Sequence, residues 1–147
     1  MIHLYAIGSP IEQDNLAWQY VDSIHKKLTT EYPAINIEYF DRPGMQLVNE
    51  ISGKQKVILV DALLSDTLCE VQSLQANDLQ QQTIHFSSHN FGVAEALLIS
   101  QQLNLLPEDL WILGIPTPPQ TDNEGRIKQQ LSKQLLHKIQ NIIKPLV

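Results

Sequence analysis

The sequence is poor in cysteine, in positive charge and in long apolar runs, and each shortage closes a class of function. Cys69 is the single cysteine. No intramolecular disulfide framework or cysteine-built zinc cage can form from it, so a reducing, cytoplasmic setting is expected. Ten Lys and Arg stand against sixteen Asp and Glu, a formal charge of −6. That is the wrong sign for following a phosphate backbone, and nucleic acid is not an expected partner. No apolar run approaches the roughly 18 residues that a membrane span demands, and the segment Met1 to Pro10 lacks the basic region and cleavage site of a signal peptide. The phosphate loop G-x-x-x-x-G-K, the dinucleotide turn G-x-G-x-x-G and the nucleophile elbow G-x-S-x-G are also missing.

What the chain does have is 147 residues, 43% of them hydrophobic, the measure of one globular domain spanning 1–147. A chain of that length can bury roughly 70% of its unfolded surface, enough to hold together without a disulfide or a structural metal. Ile2 to Ile7 is apolar at nearly every position and meets Gly8-Ser9-Pro10, the pattern of a buried strand ending in a turn. From Asn15 to Leu28, Leu16, Tyr20, Ile24 and Leu28 recur every four residues, which predicts a helix with one apolar face. Ile35 to Phe40 reads as a short strand closed by Asp41-Arg42-Pro43-Gly44, and Met45 to Ile51 as a brief helix. Lys56 to Asp61 contains four consecutive aliphatic residues, as expected of a central strand covered on both faces.

Farther along, Cys69 to Leu74 can form an edge strand, the stretch around Gln80-Gln81-Gln82 reads as loop, and Thr83 to Phe86 as a short strand. Ser87-Ser88 offers caps for a helix marked by Phe91, Ala94, Leu97 and Leu98, which puts His89 at a helix start. Leu110 to Ile115 is another apolar strand. Thr121 and Glu124 then stand at capping-box spacing before a final helix through Ile127, Leu131, Leu135, Ile139 and Ile142, which Pro145 ends. Strands alternating with helices predict a three-layer α/β/α sandwich, with a largely parallel twisted sheet of about five strands. Ligand sites in such sheets lie beyond the carboxyl ends of the strands.

Four polar features fall at that edge: the loop from Gly8 to Asn15, Asp41, Asp61 and His89. Asp61 closes the most hydrophobic strand, at the rim of the sheet. A histidine at a helix start is kept neutral by the helix dipole and free to ligate metal. Each has an ordinary structural alternative: Asp14 and Asn15 as caps of the first helix, Asp41 as a turn residue, Asp61 as a loop cap. Together, carboxylates and one imidazole form an oxygen and nitrogen donor set suited to nickel, zinc or a similar ion. His3, His25, His85 and His137 do not join it, and Cys69, with no basic partner in sight, reads as a small buried hydrophobe.

The order of these motifs resembles the hydrogenase maturation endopeptidases. The family's G-N-P-x-x-x-D-D loop is similar to Gly8-Ser9-Pro10-Ile11-Glu12-Gln13-Asp14-Asn15. Its strand ending in aliphatic-D-A resembles Leu59-Val60-Asp61-Ala62, and its S-x-H-x-x-G resembles Ser87-Ser88-His89-Asn90-Phe91-Gly92. Its D-G-G turn is echoed in shortened form by Asp41 with Gly44, and its aliphatic-G-I/V-x-P strand end by Leu113-Gly114-Ile115-Pro116.

The resemblance implies an endopeptidase that removes the C-terminal extension of a nickel-loaded NiFe-hydrogenase large-subunit precursor. Nickel carried by the substrate would be the recognition tag, and zinc or cadmium could take its place in vitro. The implied metal ligands are Asn15, Asp61 and His89, with Asp14 beside them, and Asp61, His89 and Asp14 are the implied catalytic residues. Asn15 departs from the family, which has an acid there; it offers a carbonyl oxygen but no charge. No Ser or Cys nucleophile is evident, so a water attacking a polarised carbonyl is the expected chemistry. A monomer in the cytoplasm, with that precursor as partner, is the expected setting. A divergent relative that binds the large subunit or nickel without cleaving is the alternative, and a small-molecule-binding α/β domain is a third reading.

Overall fold

Alternation builds the sheet. In β1 (Ile2–Gly8), Leu4 and Ala6 face one side and Tyr5 and Ile7 the other, and all four are buried. The same division runs through β3 (Lys56–Leu63), where Ile58, Val60 and Ala62 oppose Val57 and Leu59. The computed structural model describes residues 1–10, 15–63, 69–75, 92–117 and 125–144. Within them the other elements are α1 (Leu16–Glu31), β2 (Asn36–Asp41), α2 (Gln46–Ile51), β4 (Gln72–Gln75), α3 (Val93–Gln102), β5 (Asp109–Pro116) and α4 (Arg126–Ile143).

The strand order is β2-β1-β3-β5-β4, parallel throughout except for β4, which runs antiparallel to β5 at the edge. Helices cover both faces. Leu16, Ala17, Tyr20, Val21, Ile24 and Leu28 of α1 join Leu131, Leu135, Ile139 and Ile142 of α4 over one face. Leu47, Val48 and Ile51 of α2 join Val93, Ala96 and Leu97 of α3 over the other. The expected α/β sandwich with a five-stranded, mostly parallel sheet is therefore the observed fold. Among the described residues no helix is long and apolar enough to cross a membrane.

Three local expectations are corrected. Cys69 is exposed rather than buried, because it lies ahead of β4 and outside its ladder. The start of α3 is capped at Gly92, whose N–H donates to the Glu95 carboxylate at 3.0 Å. Gly92, not a serine, is thus the N-cap of this helix, and Ser87, Ser88 and His89 lie outside the described residues. Gly125 precedes α4 at φ +68°, a left-handed conformation that a residue without Cβ adopts freely, so Thr121 is not the N-cap. The expected loop at Gln80-Gln81-Gln82, the strand at Thr83 to Phe86, Thr121 with Glu124, and Pro145 lie outside the described residues.

Candidate functional site

Asp61 does not end its strand as expected. β3 continues through Ala62 and Leu63, which pair with Ile115 and Pro116 of β5, so the carboxyl group lies inside the sheet and is 0% exposed. Its Oδ1 accepts the Ala62 backbone N–H at 2.8 Å. Such a bond offsets part of the cost of burying a polar group. Sharing the parity of Val57 and Leu59, Asp61 faces the side covered by α2 and α3. Gly114 is its partner across β5, and Gln72 of β4 is the partner of Gly114 in turn. A residue without a side chain thus stands beside Asp61 in the neighbouring strand.

Asn15 occupies the N-cap position of α1, yet its side chain makes no capping bond. Its Oδ1 instead accepts a hydrogen bond from Gln19 Nε2, which leaves the oxygen a second lone pair. Asp41 ends β2 in register with Gly8, and its Oδ1 accepts from Arg42 Nε at 2.8 Å. Arg42 N–H in turn donates to the Gly8 carbonyl at 2.8 Å, tying the two strand ends together.

Asn15 and Asp41 line a cavity of about 500 Å³ whose other described lining residues are Trp18, Gln19, Asp22 and Tyr39. Trp18 is anchored by its indole N–H, which donates to the Ala6 carbonyl at 3.2 Å. Tyr39 lies nearly parallel to His25, with ring centroids 6.4 Å apart, and its phenol is pushed above its ordinary value, first by burial and then by the Asp22 charge. Asp61 is not part of this lining. Asn15 and Asp61 therefore meet the same sheet edge from opposite faces.

His89, Asp14 and Glu12 lie outside the described residues. Among the described residues no three His, Cys, Asp or Glu side chains gather as a metal cage. Sequence reasoning singled out Asn15, Asp41 and Asp61 but missed Trp18, Gln19, Asp22 and Tyr39. The signal for them was present: 15, 18, 19 and 22 fall on one helical stripe, while 39 and 41 share a strand face.

A family model described as hydrogenase maturation protease matches residues 41–145. Its range includes Asp61 and His89 and begins after the Gly8 to Asn15 loop. No curated protein sequence matches the chain. Among solved structures, the hydrogenase maturating endopeptidase HybD from Escherichia coli is similar at 18% identity and a TM-score of 0.62, over 95% of this chain and 92% of that one. HybD from Thermococcus kodakarensis, a NiFe hydrogenase maturation protease, is similar at 17% identity and a TM-score of 0.59, over 94% and 97% of the two chains. An endopeptidase from Escherichia coli is similar at 15% identity with a TM-score of 0.64, over 95% and 92%. Identities this low speak to the fold.

Proposed function

The chain belongs to the hydrogenase maturation protease family, and from that premise we propose that it removes the C-terminal extension of a NiFe-hydrogenase large-subunit precursor. The observation that carries this reading is Asp61, a carboxyl group buried two residues before the end of the central strand and flanked by Gly114. Nickel is part of the substrate in this proposal, and it would polarise the scissile carbonyl as a Lewis acid. Asp61 holds or moves the proton of the attacking water, with His89 and Asp14 completing the donor set. The chain acts as one unit in the cytoplasm, in keeping with its lone thiol and net negative charge.

Asn15 favours a second reading, a relative that binds the large subunit or nickel without cleaving. Its amide oxygen accepts from Gln19, and it lacks the charge of the family's acid. A unit charge pair at 4 Å is worth roughly 4 kcal/mol near a protein surface, so the missing carboxylate weakens any ion site it borders.

Intact-mass analysis of nickel-loaded and nickel-free precursor tests both readings, with the wild type beside Asn15→Asp and His89→Ala. Loss of a C-terminal peptide only from the nickel-loaded form is the expected result, with a faster reaction for Asn15→Asp. No cleavage by the wild type or Asn15→Asp, on a competent cognate precursor, would transfer the case to the binding protein. Metal titration of His89→Ala adds a separate readout: unchanged affinity removes His89 from the site.

A further inference from the structure

The cavity between α1 and β2 has the composition of a cation site. Asn15, Trp18, Gln19 and Asp22 follow i, i+3, i+4, i+7 spacing along α1, so they form one stripe beside the buried face of that helix. Tyr39 and Asp41 alternate on β2 and close the opposite wall. The lining thus holds two aromatic rings, two carboxylates and two amides. Among the described residues, Arg42 is paired with Asp41, and the His25 ring lies against Tyr39. Asp22 has no ion-pair partner among the described residues.

Apolar walls suit the methylene stem of a long side chain, and ring faces attract a cation. An anion would meet Asp22 and Asp41 unfavourably, and a purely apolar group would leave Asp22 desolvated without a partner. We propose that this cavity is a subsite for a lysine or arginine side chain of the polypeptide on which the chain acts, an inference that rests on the peptidase reading above. Asp41 on β2 and Asp61 on β3 are separated by β1, and the cavity lies on the α1 face of the sheet whereas the Asp61 carboxyl group faces α2 and α3.

The test uses the full chain in a Trp111→Phe background, so that Trp18 is the sole tryptophan emitter. N-acetyl-arginine amide is titrated beside its uncharged counterpart N-acetyl-citrulline amide, following fluorescence and backbone amide shifts. Saturable arginine binding is expected, with shifts concentrated at residues 15–22 and 39–41 and citrulline at least tenfold weaker. Asp22→Asn, an exposed change that leaves the melting temperature in place, is expected to weaken arginine at least threefold. Equal affinity for the two probes, indifference to Asp22→Asn, shifts elsewhere or no saturation would each overturn the subsite.

These probes require neither nickel nor cleavage, so arginine binding without processing would sink the peptidase reading while the cation site stands. Where processing does occur, replacing lysines and arginines within five positions of the mapped cleavage point by glutamine should raise KM about tenfold with kcat little altered. An unchanged KM would separate the cavity from the substrate.

Discussion

Asp61 and Asp41 are both aspartates near the carboxyl ends of parallel strands, yet they live in opposite environments. Asp61 is fully buried and accepts a backbone N–H, whereas the Asp41 side chain is 47% exposed and paired with its own neighbour Arg42. The difference lies in strand order. β3 has partners on both sides and helices over both faces, while β2 is an edge strand with one partner. A carboxyl group in the first position acts in a low dielectric, where each hydrogen bond and charge counts for more; one in the second is screened by water.

The largest expected effect is on chemistry at the buried position. Asp61→Asn retains an amide oxygen able to accept from Ala62 but abolishes proton transfer, so precursor processing should fall by about 100-fold or more. Wild-type turnover by this variant would remove Asp61 from the reaction. Asp41→Asn, read in the same assay, should move KM more than kcat if it shapes only the cation subsite.

A second contrast, between β1 and β2, can be read by pH. Tyr5 is buried, donates its hydroxyl hydrogen to the Glu50 carbonyl at 3.3 Å, and is pushed up to about 12, first by burial and then by Glu38 and Glu50. The unfolded chain ionises near 10, so this contribution to stability is fully present below pH 10 and is lost as pH rises through 12. The loss amounts to about 2 to 3 kcal/mol. Urea melts of wild type and Tyr5→Phe from pH 9 to 12 should show that slope and its disappearance, with Tyr39→Phe, at a 40% exposed ring, changing little. Parallel curves for wild type and Tyr5→Phe would contradict the assignment.

Stability separates the two aspartates by a smaller margin. Asp61→Ala strands the Ala62 N–H in the interior and should cost about 1 to 3 kcal/mol. Asp41→Ala breaks an exposed ion pair and should cost less than about 1 kcal/mol. Equal losses in denaturant titrations would mean that strand position is not what distinguishes them.

Much of this contrast was foreshadowed by periodicity. The run Val57-Ile58-Leu59-Val60 marks a strand covered on both faces, and the four-residue spacing of Leu16, Tyr20, Ile24 and Leu28 marks the inner face of α1; both are as observed. The ends of elements were harder to read. Ser87-Ser88 and the Thr121–Glu124 pair carry good cap chemistry, but the N-cap positions of α3 and α4 are Gly92 and Gly125, because local hydrogen-bond options do not choose among competing starts. The exposure of Cys69 and the depth of Asp61 also escaped, since each depends on where the neighbouring strand stops. Asn15 and Asp61 both stand toward the carboxyl end of the sheet, but their approach from opposite faces was not legible.

Sequence alone determined the alternation of strands and helices, the stripes each would bury and the family motifs around Asp61. These are short-range properties, set by side-chain spacing along one element. The tertiary structure decided that β3 lies central and β2 at the edge, that Gly114 stands beside Asp61, and that Trp18 and Tyr39 line one cavity with Asp22. Those relations join residues distant in the chain, and only the packing of helices against the ordered sheet brings them together.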